Sequence, residues 1–105
     1  MGTTKREYKA KTVRGQILLD AALAVGGHRG QDDNITKNSF GLIASLWTTY
    51  TGHTFTAHDV AMMMCLLKIA KIRNCSGSDD SYVNLAGYAA CAGELIRSAN
   101  DNDGN

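Results

Sequence analysis

Asp80, Asn84 and Tyr88 follow one another at four-residue steps in the stretch DDSYVNLAGYAACAGELI (residues 79–96), and Cys91 continues the series. On a helix these side chains share one stripe, while Val83, Ala86 and Ala90 point elsewhere. A carboxylate, an amide and a phenol in line offer both donors and acceptors to the polar edge of a ligand. The same spacing also describes a solvated helix edge that opens with an aspartate complementing the helix dipole, and on spacing alone this second use is the commoner one.

Three further side chains could bear on a ligand. Lys68 interrupts the apolar run VAMMMCLL and lies half a revolution from Asp59, on the side of Met64, Cys65 and Lys71. Facing a cleft, its ammonium would suit phosphate; on a surface, its methylenes would lie on apolar neighbours with the charge in water. Asp59 follows Thr56 by three residues and is placed to cap a helix. Arg29 stands among the glycines of GGHRGQDDN, where guanidinium and backbone amides could meet an anion, although the order of a Walker loop or dinucleotide fingerprint is missing.

No self-sufficient catalytic motif occurs, so no catalytic residue is assigned. Neither Cys-x-x-Cys nor His-Glu-x-x-His is present, and the three cysteines and three histidines fall outside familiar ligand spacings, so no structural metal is expected. Met62, Met63 and Met64 are expected as core filler, and Trp47 as a packing anchor.

These side chains must be carried by a single domain, residues 1–105, which at this length buries roughly two-thirds of the surface its unfolded chain exposes. Hydrophobic residues make up 44% and charged residues 20%, which favours a folded body over disorder or a membrane class. A net charge of +1 gives no field that would gather nucleic acid or an anionic membrane. The basic N-terminus (about 1–11) and the polar, acidic tail (about 99–105) are expected to be flexible ends. An odd number of cysteines, with neither a secretory leader nor a long apolar run, points to a reducing host cytoplasm.

With no proline in the chain, element breaks are read from glycines and caps. A first helix is expected from Thr12 to Val25, stopping at Gly26-Gly27, and HRGQDDNITKN (28–38) is expected as a loop. Phe40, Ile43, Leu46, Trp47 and Tyr50 form an amphipathic second helix that Asn38 or Ser39 caps and Gly52 ends. The third helix opens at the Thr56–Asp59 box and is apolar at every position from Val60 to Leu67, as befits the middle of a bundle or an interface. The fourth runs from Asp79 to about Ser98; its Gly87 and Gly93 suggest close helix approach or a pocket, since glycine weakens a helix by about 1 kcal/mol relative to alanine. The fold class is all-α, a compact four-helix bundle-like domain, and the third helix implies a homo-oligomer.

DVAMMMCLLKIAKIRN, followed after a turn by DDSYVNLAGYAA and preceded by FGLIASLWTTYTG, resembles a family of small all-α proteins encoded by phages and prophages. The family pattern has an Arg-containing loop ending in Tyr-Gly-Asp, an Asp-Val-Ala helix with Lys-Ile-Ala, and Asp-x-x-Val-Asp-Leu-Ala-Gly-Tyr-Ala. The match covers residues 28–93 and picks out Arg29, Phe40, Trp47, Asp59, Lys68, Asp80, Asn84 and Tyr88. Two departures stand out: Tyr-Gly is missing before Asp32, and Asn84 replaces the usual aspartate.

A more distant likeness is to the MazG kind of all-α nucleotide pyrophosphohydrolases, which hold magnesium between acidic side chains. An amide brings no charge to such an ion, so Asn84 tilts the expectation from cleavage toward binding. The resemblance then implies a phage-derived protein that sequesters a nucleotide or a cyclic or ADP-ribose-type signal, countering host defence. Its ligand-binding residues would be Arg29, Lys68, Asp59, Asp80, Asn84 and Tyr88, in a pocket between the third and fourth helices, with no cofactor. The alternatives are a magnesium-dependent pyrophosphohydrolase using Asp59, Asp80 and Glu94, and a module that grips a host protein through the apolar third helix.

Overall fold

The computed structural model describes residues 9–26, 33–75 and 79–103, so Arg29 and Asp32 lie outside the described residues. The described residues form four helices: α1 (Val13–Gly26), α2 (Asp33–Thr51), α3 (Ala57–Cys75) and α4 (Asp79–Asp103). No strand occurs among the described residues.

The helix boundaries follow from local chemistry. Thr12 caps α1, its Oγ1 accepting the Gly15 N–H at 3.0 Å. At the other end of α2, Gly52 adopts φ +79°, a left-handed conformation that glycine enters without steric cost, and its N–H closes the last turn on the Thr48 carbonyl at 2.9 Å. The Thr48 hydroxyl also accepts the Phe55 N–H at 2.9 Å, folding the short linker back over α2. Trp47 meets the Phe55 ring edge-to-face at 5.8 Å, the packing anchor expected of it. The capping box opening α3 is complete: Asp59 N–H donates to Thr56 Oγ1 at 3.0 Å, and Thr56 N–H donates to Asp59 Oδ2 at 2.9 Å.

Two boundaries differ from expectation. The stretch read as a loop through Asn38 is helical from Asp33, and α4 continues past Ser98 to Asp103. Asn, Asp, Ser and Thr lower helix propensity by less than about 0.7 kcal/mol each. Extending an existing helix needs no new nucleus, so the strong apolar-periodic segments carry these flanks with them.

α3 and α4 form an antiparallel pair in which the Cys65 thiol approaches the Leu85 carbonyl at 4.0 Å. α1 lies on α4, and α2 lies on α3. The neighbour order is therefore α1–α4–α3–α2, with Phe40 of α2 reaching Tyr88 of α4 at a ring separation of 6.2 Å. α3 holds the central position expected of it, but the four helices do not close into a compact bundle. The radius of gyration is 15.9 Å, against about 13 Å for a compact domain of this length.

The core explains the open form. Its buried apolar residues are Ala21, Ala44, Val60, Ala61, Cys65 and Ala92, nearly all small, so the helices meet closely and enclose little volume. Met62 and Met63, expected as core filler, are exposed, as are Leu66, Leu67 and Ile69. The buried positions of α3, Val60, Ala61 and Cys65, lie on one side of it; Met62, Met63 and Leu66 lie on the other, with Leu67 and Ile69 at the two edges.

Candidate functional site

Gly87 is buried in α4, and a β-carbon there would stand 3.3 Å from Cγ1 of Val25. The absent side chain is what lets α1 settle so near α4, which accounts for one of the two helical glycines. Gly93 has open space around its Cα and shows no such close approach.

Beside the Gly87 contact opens a crevice of about 90 Å³. Ala24 and Val25 of α1 form one wall; Val83, Asn84, Gly87, Tyr88 and Cys91 of α4 form the other. Three of the four stripe residues, Asn84, Tyr88 and Cys91, are thus brought to one concavity. Tyr88 is half-buried and steadied by the tilted Phe40 ring, while Asn84 is exposed at the rim. Asp80 lies one turn earlier, exposed and outside the lining.

The two thiols near this region are poor nucleophiles. Burial pushes the Cys91 thiol above its ordinary range, and the negative charges of Glu94 and ionised Cys65 add to the effect. Burial alone pushes Cys65 up. Both therefore stay protonated at neutral pH, and a protonated thiol neither attacks carbon nor binds metal well. Among the described residues, no group of three His, Cys, Asp or Glu side chains is placed to hold a metal ion.

The remaining predicted residues are dispersed. Lys68 is half-buried on the side of α3 that carries Ala61 and Cys65, and it does not line the crevice. Asp59 is engaged in its cap at the start of α3. The stripe residues open onto a crevice between α1 and α4 rather than the expected one between the third and fourth helices, whose contact runs through small buried side chains such as Ala61, Cys65 and Ala92. In the sequence Val25 and Ala24 carry only helix periodicity; the signal that points toward them is Gly87, whose lack of a side chain favours a closely packed partner helix.

A second groove of about 330 Å³ also lies between α1 and α4, with Arg14, Ile17 and Leu18 on one side and Tyr82, Leu85 and Ala89 on the other. It is shallow and apolar, and neither Arg14 nor Tyr82 stood out in the sequence as a ligand group.

An all-helical domain with a small polar-rimmed crevice defines a class of fold, and comparison with known proteins places it in a family. Residues 16–96 match the domain of unknown function DUF6378, and the chain belongs to that family. The matched span runs from α1 to α4 and contains every residue of the crevice. The chain is 43% identical over 74 residues to the Gene 55 protein of Mycobacterium phage L5, covering 70% of this chain and 47% of the relative. It is 33% identical over 75 residues to the Gene 55 protein of Mycobacterium phage D29, covering 71% of this chain and 50% of the relative. The chain thus spans about half the length of these curated relatives, both of them phage proteins, in keeping with the resemblance drawn from the helix motifs. No solved structure matches it. No helix among the described residues is long and apolar enough to cross a membrane.

Proposed function

We propose that the protein binds a nucleotide or nucleotide-derived signal, of the cyclic or ADP-ribose type, in the host cytoplasm and retains it uncleaved, so that a host defence loses its messenger. The observation that carries this reading is the convergence of Asn84 and Tyr88 on one apolar crevice. An amide and a phenol over a wall of Ala24, Val25 and Val83 are suited to the polar edge and flat face of a base or ribose. The crevice is well below the roughly 300–1,000 Å³ of a pocket that encloses a whole small molecule, so it would grip one end of the ligand. The phosphates would lie outside it. Val25 on its wall precedes Arg29 by four residues, a reach of up to about 14 Å.

Retention is favoured over cleavage by the spacing of the carboxylates. Asp80 and Glu94 are fourteen residues apart on α4, about 21 Å along its axis, too far to share one magnesium ion within a chain. Asp59 stands at the start of another helix, α3, with one carboxylate oxygen held in its cap.

Calorimetry and thermal shift against cyclic dinucleotides, ADP-ribose and nucleoside triphosphates, each with and without magnesium, test the reading. Ligand released by heating the complex should be recovered intact by chromatography. A hydrolysed product would establish the pyrophosphohydrolase instead, and no binding of any of these probes would remove the ligand reading. For a ligand that binds, Tyr88→Phe and Asn84→Ala should each weaken affinity by about tenfold, the loss of one hydrogen bond in a partly shielded site.

A further inference from the structure

The outer face of α3 carries a large apolar feature that the crevice leaves unused. Met62, Met63, Leu66 and Ile69 are all exposed there, Leu66 to 63%. On the helix these four lie within about 60° of the Leu66 direction, and so do Asp59 and Arg73 at the two ends of the stripe. Asp59 stands seven residues before Leu66 and Arg73 seven after it, so each charge is about 10 Å along the axis from the centre.

A stripe with an apolar centre and opposite charges at equal distances is self-complementary under a two-fold axis. We propose that this face joins two copies of the chain, with their α3 helices antiparallel and crossing at Leu66, and with Asp59 of each copy facing Arg73 of the other. In a parallel pairing the same residues would set carboxylate against carboxylate and guanidinium against guanidinium, so charge selects the antiparallel arrangement. Asp59 holds Thr56 through Oδ2, and a carboxylate has a second oxygen to offer a guanidinium. Arg73 is exposed in the last turn of α3.

The area agrees with a second copy as occupant. The apolar side chains of the stripe and its flank present on the order of 500 Å², the upper part of what a monomer leaves bare. Two such faces together bury about 1,000 Å², the threshold for a specific interface. The inference does not depend on the ligand reading, since the α1–α4 crevice lies elsewhere in the fold.

Analytical ultracentrifugation of the full chain over a micromolar concentration series should show a monomer–dimer equilibrium. Leu66→Glu, at an exposed position that the folded monomer does not need, should weaken association by about thirtyfold or more. Tyr50→Glu, which makes a like change on the exposed face of α2, should leave association unaltered. Arg73→Asp should also weaken the dimer, and Asp59→Arg combined with Arg73→Asp should restore it, as only an antiparallel pairing allows. Circular dichroism on each variant confirms its helical content. Should the doubly inverted chain lose its cap and unfold, the contrast between Leu66→Glu and Tyr50→Glu and the effect of Arg73→Asp still decide the matter. A wild-type chain that stays monomeric throughout overturns the proposal, even if it then captures a host protein through α3. A dimer indifferent to Leu66→Glu overturns the interface, and indifference to Arg73→Asp overturns its antiparallel register.

Discussion

Thr56 and Asp59 show how far single residues could be read in advance. Their spacing predicts a reciprocal cap, and both backbone amides find the expected oxygens because the geometry is local and needs nothing beyond one turn of helix. Thr56→Ala should lower stability by about 1 kcal/mol in chemical denaturation, with little change in the native fold. The thiols tell the opposite story, since burial is a property of the packed chain. With the Cys65 and Cys91 pKa values raised by burial, the folded state holds its thiol protons after the unfolded chain has begun to lose them. These two groups are therefore neutral to stability below the ordinary thiol pKa of about 8.5, and stability should fall as pH rises through and above it. Thermal denaturation followed from pH 7 to 10 should show this decline, and Cys65→Ala with Cys91→Ala should make it shallower.

At the scale of elements, the two glycines of α4 have opposite meanings that composition could not separate. A side chain at position 87 would press on Val25, whereas one at position 93 would meet open space. Gly93→Ala should thus stabilise the protein by about 1 kcal/mol through helix propensity, measured as a rise in denaturation midpoint. Gly87→Leu should destabilise it by about 1–3 kcal/mol by forcing α1 off α4, with loss of any ligand affinity at the crevice. The four helices were legible because their apolar residues recur at three- and four-residue steps. The start of α2 and the end of α4 were not, because flanks rich in Asn, Asp, Ser and Thr sit near the balance between helix and turn, and an adjoining helix tips them. The all-round apolar pattern of α3 correctly marked it as central.

The whole molecule departs furthest from expectation. A closed bundle would have placed Met62 and Met63 of α3 inside; the chain instead lines its helices up as α1–α4–α3–α2 and leaves thirteen large hydrophobic side chains exposed among the described residues. An obligate or strong self-association would make the melting temperature rise with protein concentration, since dissociation and unfolding are then coupled. Wild-type protein should show that rise, and Leu66→Glu should abolish it.

What the sequence by itself determined was local: helix number, the Thr56–Asp59 cap and the Gly52 stop, the one-sided alignment of Asn84, Tyr88 and Cys91, and a likeness to phage proteins carried by motifs within α2, α3 and α4. All of these depend on residues within one or two helical turns, or on words in the chain. Tertiary structure alone decided which helix faces which. It set α1, rather than α3, opposite the polar stripe, sent Lys68 to a different place from Asn84, and turned Met62 and Met63 of α3 outward. The reason is that a helix apolar on several sides fits several neighbours equally well, so small contacts such as Gly87 against Val25 choose among packings that periodicity cannot tell apart.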